Sequence, residues 1–299
     1  MTTLDAIAYL TTTVETGSFA AAARRLRVTP SAVSRRVARL EEELGVPLLA
    51  RTTRSLRLTD DGQAFYDRCV RILQELADAR EALARSSKRP SGVLRVDAPV
   101  SLGREVLAPQ LPRFLERYPE IRLHMTLHDH FVDPIAEGMD LLVRIGRLGD
   151  SNLIARKLGA SRLVHCASPA YLRRRGVPKV PRDLARHDCL GYLRDGRPAP
   201  FNFVVSGATH ATEIDGGCHA NDADVLRRLA IAGKGIAALF DFLVRDALAS
   251  GALVPVLPDH PSTTWPIHAL YPKNRHLLPK VSAFLGFLDE LFAAPRRAP

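Results

Sequence analysis

Cysteine is scarce in this 299-residue sequence, and its four cysteines, Cys69, Cys166, Cys189 and Cys218, have no short paired spacing. In a chain of this length that pattern argues against a disulfide framework and favours buried thiols. Long apolar runs are missing too, since the longest nearly uncharged stretch, 235–244, is too short to span a bilayer. The N-terminal residues lack the positive charge and cleavage site of a signal peptide. We therefore expect a cytoplasmic protein without a membrane span.

The common catalytic motifs are also missing: there is no G-x-S-x-G, Walker or H-E-x-x-H sequence. These motifs place a nucleophile, a phosphate cradle or a pair of metal ligands. Lys234, in Gly-Lys-Gly, lacks the rest of a phosphate loop. We therefore expect no enzymatic activity, no catalytic residue and no cofactor.

Histidine and cysteine are neighbours at three places, His165–Cys166, His187–Cys189 and Cys218–His219. Adjacent residues of a strand point to opposite faces, so each cluster offers one inward metal ligand at most. We expect no metal site, and a metal-responsive or thiol-responsive regulator stays open as an alternative. A solute-binding protein is the less favoured second alternative.

Lysine occurs only six times, so the net charge of +10 comes mainly from arginine. Nine arginines and three glutamates lie between Arg24 and Arg57, a balance of +6 in 34 residues. Basic charge concentrated in this way indicates a polyanionic partner. An ordinary solvated basic helix is the plainer alternative.

Three helices are predicted in the first 45 residues. Gly17 ends the first helix, and Ser18 caps a short, alanine-rich second one. Thr29 and Pro30 provide the N-cap and first position of the third helix, and Gly45 its C-cap. The first helix has an apolar face at Leu4, Ile7, Ala8, Leu10 and Val14.

The third helix has two distinct faces. Its apolar stripe is Val33, Val37, Leu40 and Leu44. Its other side presents Ser31, Ser34, Arg35, Ala38 and Arg39. A short turn followed by such a helix is suited to the DNA major groove, because Arg pairs with guanine, Ser permits close approach and a helix N-terminus attracts phosphate.

The next segments predict a wing and a long helix. Arg51, Arg54 and Arg57 alternate with apolar residues in a short two-stranded turn, where they can reach phosphates or a narrow minor groove. Thr59 or Asp60 begins the fourth helix. Its coiled-coil seam, Phe65, Cys69, Ile72, Leu76, Ala79 and Leu83, predicts dimerisation. Packing against its own domain is the alternative.

The segment 18–62, "SFAAAARRLRVTPSAVSRRVARLEEELGVPLLARTTRSLRLTDDG", resembles the winged helix-turn-helix signature of the LysR-type transcriptional regulators. The likeness extends over the whole chain, with Leu49 where the family usually has Phe. It implies a sequence-specific regulator of α/β fold: a DNA-binding domain (1–59), a linker helix (60–89) and a two-lobed, periplasmic-binding-protein-like effector domain (90–299). The partners implied are promoter DNA, a small-molecule effector and further copies of the chain, as a dimer or tetramer. The residues assigned to DNA are Thr29, Pro30, Ser31, Ser34, Arg35, Arg39, Arg51 and Arg54.

After a polar hinge at 84–92, alternating strand and helix patterns predict a mainly parallel sheet covered by helices. The resemblance implies one lobe of 93–162 and 267–295, and another of 163–266. Ser101, beside Pro99 and Val100, follows a strand and begins a helix, which suits a carboxylate or another small anion; a plain N-cap is the alternative. Arg147 is a candidate acid clamp or a surface ion pair. Phe203 and Asn221 are placed at the cleft by the resemblance alone.

Overall fold

The computed structural model describes residues 3–51, 56–83, 89–130, 132–134, 137–149, 151–205, 208–273, 275 and 278–293. The chain forms two compact units, Met1–Ser87 and Lys88–Pro299. Within the described ranges, no helix is both long and apolar enough to cross a membrane.

The first unit contains four helices and a two-stranded wing. The elements are α1 (Thr3–Thr16), α2 (Phe19–Leu26), α3 (Pro30–Leu44), β1 (Leu49–Arg51), β2 (Leu56–Leu58) and α4 (Asp60–Leu83). Ser18 accepts a hydrogen bond from Ala21 N, and Thr29 accepts one from Ala32 N, so both predicted N-caps are confirmed. The antiparallel pairing of β1 with β2 confirms the wing.

The core of this unit is built from α1, α3 and the start of the wing. Leu10, Val37, Leu40, Leu48 and Leu49 form one buried cluster, and Ala22, Ala23 and Val33 form a second between α2 and α3. Two predicted apolar faces are shorter than expected, because Leu4 and Leu44 at the helix ends are exposed. Thr11 and Thr13 are buried instead, and each hydroxyl donates to a carbonyl one turn earlier in α1. That bond satisfies the hydroxyl inside an apolar interface.

The second unit is centred on one mixed sheet. Its main strands are β3 (Gly92–Ala98), β4 (Ile121–Leu127), β5 (Leu141–Ile145), β6 (Ile154–Ala167), β7 (Cys189–Arg194), β11 (His219–Ala220), β12 (Ile236–Phe240) and β14 (Thr264–Tyr271). The strand order is β11-β7-β12-β6-β14-β5-β3-β4. Both ends are parallel, but the middle is antiparallel, so the expectation of a mainly parallel sheet was wrong there. The cause is that long strands β6 and β14 pair with each other between the two parallel halves.

Short strands β8 (Arg197–Pro198) and β13 (Val254–Pro255) extend this sheet, and β9 (Phe201–Val205) pairs with β10 (Ala208–Thr212) in a separate hairpin. The helices are α5 (Val100–Leu102), α6 (Leu111–Arg117), α7 (Pro169–Arg175), α8 (Ala223–Ile231), α9 (Asp241–Ala249) and α10 (Pro279–Ala293). A π-helical turn (Gly103–Leu107) and a 3₁₀ turn (Ala108–Gln110) join α5 to α6. Pro109, which has no N–H, interrupts the regular helix expected there. Gly103 permits close packing on Leu127, since a Cβ would lie 2.3 Å from a Leu127 methyl carbon.

Candidate DNA-binding surface and effector cavity

The two faces of α3 are sharply separated. Val33 and Val37 are completely buried, whereas Ser31 and Arg35 are exposed. The guanidinium of Arg35 donates from Nε to the carbonyl of Ser31 at 3.3 Å, which holds it along the first turns of the helix. The helix is therefore fixed from behind while its polar face is open to a partner.

The turn before α3 is ordered by its own side chains. Thr29 Oγ1 lies 3.2 Å from Ser31 Oγ and accepts from Ala32 N at 3.3 Å. Thr29 and Pro30 are both exposed at the start of the helix, whereas Ser34 is half-buried. These residues form the N-terminal part of the exposed α3 surface.

Several arginines of the basic segment are held by the unit itself. Arg36 lies over the Tyr9 ring, 4.5 Å from its centroid. Arg39 pairs with Glu43 at 3.1 Å on the exposed side of α3. Exposed pairs of this kind contribute little to stability, so Arg39 can exchange Glu43 for a phosphate at small cost.

Glu41 connects the wing to α3, although the sequence analysis considered it only as one of the negative charges between Arg24 and Arg57. Glu41 Oε1 accepts hydrogen bonds from Leu48 N at 2.8 Å and Leu49 N at 2.9 Å. On β2, Arg57 is exposed opposite Ala50. The side chain of Arg51 and the whole of Arg54 lie outside the described residues.

The predicted dimerisation seam divides into two parts. Phe65 packs on the core of its own unit, and Cys69 is only 1% exposed. Ile72 is 45% exposed and Leu76 half-buried, so these two residues form an open apolar strip in the described part of α4. The side chains of Ala79 and Leu83 lie outside the described part of α4.

The second unit contains a cavity of about 1020 Å³ between the two parallel halves of its sheet. Four predicted effector residues line it: Pro99, Val100, Ser101 and Asn221. Its apolar wall includes Leu163, Phe201, Leu239, Phe240 and Trp265. A space of this size, with aromatic walls on one side and several polar side chains in the lining, is suited to a small molecule.

Two predicted effector residues lie elsewhere. Phe203 is fully buried in the core and stacks on His165, with 4.3 Å between ring centroids. It shares a strand face with Phe201 but lies deeper, and Phe201 is the residue that lines the cavity. Arg147 is exposed and outside the lining, because β5 ends at Ile145 and the next residue, Gly146, turns the chain with a φ of 124°. Arg144 is the lining arginine of this strand.

Asp97, at the end of β3, organises one side of the cavity although sequence reasoning passed over it. It is completely buried and accepts from Thr126 Oγ1 at 2.6 Å, His128 Nδ1 at 2.6 Å and Arg144 Nη2 at 2.5 Å. His128 and Arg144 line the cavity. The buried carboxylate thus fixes both side chains and supplies the counter-charge of Arg144. The available signal was an acid one residue before the end of a strand whose neighbouring residues, Val96 and Ala98, are apolar.

Asp129 closes the helix start that was expected to attract an anion. Pro99, not Ser101, is the N-cap of α5, and the Val100 N–H donates to Asp129 Oδ1 at 3.0 Å. The hydroxyl of Tyr192 donates to Asp129 Oδ2 at 3.2 Å. Burial, followed by the nearby Asp129 charge, raises the pKa of Tyr192 to about 12.

Three of the four thiols, those of Cys69, Cys166 and Cys189, are buried and poorly placed for redox chemistry. Burial raises the pKa of Cys69 to about 11 and that of Cys166 and Cys189 to about 12. Thiols that stay protonated at neutral pH are weak nucleophiles and weak metal ligands. Within the part of the chain that the structure describes, His, Cys, Asp and Glu form no group of three able to hold a metal ion.

A winged helix-turn-helix unit followed by a two-halved sheet around a ligand-sized cavity is the architecture of a one-component transcriptional regulator, in which one chain carries both a DNA-binding and a ligand-binding domain. Two family models match the chain. Residues 4–63 match the bacterial regulatory helix-turn-helix protein, lysR family, and residues 87–293 match the LysR substrate binding domain. The chain belongs to the LysR family of transcriptional regulators.

Named relatives span nearly the whole chain. The HTH-type transcriptional regulator CrgA of Neisseria meningitidis serogroup C (strain 8013) is 41% identical over 278 residues, covering 93% of each chain. The HTH-type transcriptional activator AaeR of Escherichia coli (strain K12) is 36% identical over 281 residues, covering 93% of this chain and 90% of AaeR.

Solved structures of similar proteins have the same architecture. The structure of CrgA from Neisseria meningitidis has a TM-score of 0.64 at 38% identity and covers 98% of this chain and 99% of that one. Full-length AphB, a virulence activator of Vibrio cholerae, has a TM-score of 0.63 at 31% identity over 96% and 98% of the two chains. The helix-turn-helix match and these full-length neighbours decide against the solute-binding alternative.

Proposed function

We propose that this LysR-family regulator reads promoter DNA with the exposed face of α3, and that a small molecule bound in the cavity of the second unit changes its DNA binding. The observation that carries the proposal is the exposed Ser31 and Arg35 surface on a helix whose valines are completely buried. We further propose that the protein works in the cytoplasm and without catalysis.

In this proposal the DNA-facing residues have separate tasks. Arg35 and the short serines Ser31 and Ser34 read base edges in the major groove. Arg39 and the wing residues Arg51 and Arg54 contact phosphates and set the register of the protein on the duplex. The remaining two, Thr29 and Pro30, place the N-terminus of α3 against the backbone, where its N–H groups favour phosphate.

Dimerisation through α4 would place two reading helices on one operator. The open strip that begins at Ile72 supports this part of the proposal, because an exposed isoleucine on a long helix favours a partner helix. We propose a homodimer that assembles further into a tetramer. Half-site spacing in the operator would then follow the symmetry of the dimer.

Effector binding is assigned to the cavity, with Pro99, Val100, Ser101 and Asn221 among its contacts. The antiparallel strands β6 and β14 are the links between its two sides. A ligand that binds one arrangement of these two sides more tightly than the other changes the spacing between the pairs of DNA-binding domains in the oligomer. The size of the change is limited by the ligand's difference in affinity for the two arrangements.

The experiment is selection of binding sites from random DNA by the full-length protein, followed by affinity measurement on the selected operator and on bulk competitor. Arg35→Ala should weaken operator binding by about 1–3 kcal/mol and relax the base preference at one position. Arg122→Ala, which removes an exposed arginine of β4 in the second unit, should bind like wild type. Equal affinity of the Arg35→Ala protein and wild type for the operator would refute the assignment of α3.

A further inference from the structure

The first three helices of the first unit are each followed by a residue with positive φ, but these residues differ in type. Gly17 follows α1 with a φ of 71°, Arg27 follows α2 with 57° and Gly45 follows α3 with 73°. Glycine is the usual residue at such a helix end, because a Cβ makes the left-handed conformation unfavourable. The end of α2, just before the turn into α3, is therefore the exception.

Backbone hydrogen bonds fix the left-handed conformation of Arg27. Its N–H donates to the carbonyls of Ala23 and Arg24, and the N–H of Val28 donates to the Ala23 carbonyl at 3.0 Å. These bonds close α2 and begin the turn into α3. Glycine would make the same bonds with less strain, because they use only the backbone. An arginine at this position therefore indicates a use for its side chain.

That use differs from the use of the other two non-glycine residues that have positive φ in the described ranges. Leu257, at 54°, is 3% exposed and packs in a core cluster. Asp195, at 51°, precedes Gly196 in the turn between β7 and β8, and aspartate is a residue type that tolerates this conformation. Arg27 is exposed, so packing inside the chain does not account for it.

The guanidinium of Arg27 has no hydrogen bond or ion pair among the described residues. Its neighbour Arg25, in contrast, pairs with Glu15 at 2.9 Å. A cation near a helix C-terminus also interacts favourably with the helix dipole. Arg24 and Arg25 already supply that charge from the last turn of α2, where the backbone is helical. The dipole therefore does not explain a third arginine in a strained conformation.

The position of Arg27 suits a phosphate of DNA. Arg27 lies two residues before Thr29, the N-cap of α3, and both residues are exposed. In a helix-turn-helix the second helix enters the major groove, so the turn ahead of it passes close to the sugar–phosphate backbone. A guanidinium at that place matches a phosphate in charge and in bidentate geometry.

We infer that Arg27 is a phosphate-binding residue, and that the chain keeps an unfavourable backbone conformation at the end of α2 for this contact. The inference rests on the proposed reading of DNA by α3. Because every base pair carries the same phosphates, the contact adds affinity and fixes the entry of α3 without adding base preference. Stability and DNA affinity should therefore change in opposite directions when glycine replaces Arg27.

Three variants separate the backbone of Arg27 from its charge. Arg27→Gly relieves the left-handed conformation and removes the charge, Arg27→Gln removes only the charge, and Arg27→Lys keeps it. Fluorescence anisotropy measures operator binding by each full-length protein at several salt concentrations. The two uncharged variants should bind about five- to tenfold more weakly near 0.1 M salt, and the slope of log K against log salt should fall by about one. Arg27→Lys should keep the slope of wild type.

Hydrogen exchange at the Val28 amide measures the stability of the helix end. Exchange should be slower in the Arg27→Gly protein and as in wild type in the Arg27→Gln protein. Asp195→Gly, at the other exposed left-handed residue, is the control for the backbone change. Arg122→Ala, which removes an exposed arginine of β4, is the control for charge. Both control proteins should bind the operator with the affinity and salt slope of wild type.

Three results would overturn the inference. Wild-type affinity and salt slope in both uncharged variants would show that Arg27 does not contact DNA. Faster exchange at Val28 in the Arg27→Gly protein would assign Arg27 to the stability of α2, and an altered base preference in any Arg27 variant would make it a base-reading residue. Failure of the proposed function is distinguishable, because operator selection and the Arg35→Ala comparison judge α3 with Arg27 intact.

Discussion

The hydroxyl of Tyr192, on β7, donates a hydrogen bond of 3.2 Å to Asp129, which follows β4. These two strands lie on opposite sides of the central β6–β14 pair. A second contact joins the same sides, where Arg227 of α8 approaches Glu105 at 4.0 Å. These two polar contacts, between groups far apart in sequence, join the two sides of the cleft.

Removing the Tyr192 hydroxyl should loosen the cleft. Tyr192→Phe keeps the ring and deletes the donor, so we expect the free energy of unfolding to fall by about 0.5–1.5 kcal/mol. Urea unfolding measures that loss, and hydrogen exchange at the Val100 amide reports on the Asp129 contact. Tyr118→Phe, a ring outside the cavity, is the matched control. Identical unfolding and exchange of the Tyr192→Phe protein and wild type would show that this bond does not hold the cleft.

Glu41 should matter for DNA binding although it carries the same charge sign as DNA. Glu41→Ala leaves the buried amides of Leu48 and Leu49 without an acceptor, which costs about 1–3 kcal/mol and loosens the wing on α3. We expect lower stability and weaker operator binding together. Glu42→Ala, which removes the exposed neighbour, should keep stability and should not weaken DNA binding. Fluorescence anisotropy measures the operator affinity of the Glu41→Ala and Glu42→Ala proteins, and urea unfolding measures their stability. Tighter DNA binding by the Glu41→Ala protein would contradict the role of Glu41 in anchoring the wing.

The exposed strip of α4 should be required for self-association. Ile72→Asp places a charge at the open start of the seam, so it should weaken the dimer and lower operator affinity in parallel. Sedimentation velocity measures the association, and anisotropy the DNA binding. Ala64→Asp introduces the same charge at an exposed position of α4 outside the predicted seam. If both proteins dimerise like wild type, the dimer contact lies elsewhere.

The architecture of the first unit was predictable because its signals are local. Ser18 and Thr29 each bond a backbone amide three residues ahead, and Gly45 ends α3 with a φ of 73°. Such caps depend on a few neighbouring residues and are visible in a single sequence. The anchoring by Glu41 was missed because its partners are seven and eight residues away, across a turn.

The interior of the cavity was less predictable because it is made by distant contacts. Asp97 and Arg144 are 47 residues apart, and only the pairing of β3 with β5 brings them together. Phe203 was placed at the cleft by the family resemblance alone, whereas the structure puts its side chain in the core and Phe201, two residues earlier, in the cavity lining. A resemblance to a family does not indicate how deep a given side chain of this chain lies.

His165 should make the protein less stable in acid. It is 4% exposed and packed against Phe201 and Phe203, and burial lowers its pKa to about 4 from an ordinary value of 6.5. Between these two values the unfolded chain binds the proton and the folded chain does not. The free energy of unfolding that depends on neutral His165 is therefore fully present above pH 6.5. It falls by about 3 kcal/mol as the pH falls towards 4.

Urea unfolding between pH 7 and pH 4.5 measures this change. Burial also lowers the pKa of His187 and His268, so these residues likewise make the free energy of unfolding fall with falling pH. Only the part of this pH dependence that disappears when His165 is substituted belongs to His165. His165→Gln should flatten the pH dependence, whereas His210→Gln, a change at an exposed histidine, should leave it as in wild type. A slope that is equally steep in the His165→Gln protein would mean that the buried ring gains its proton without unfolding, by a local opening of the β9–β10 hairpin.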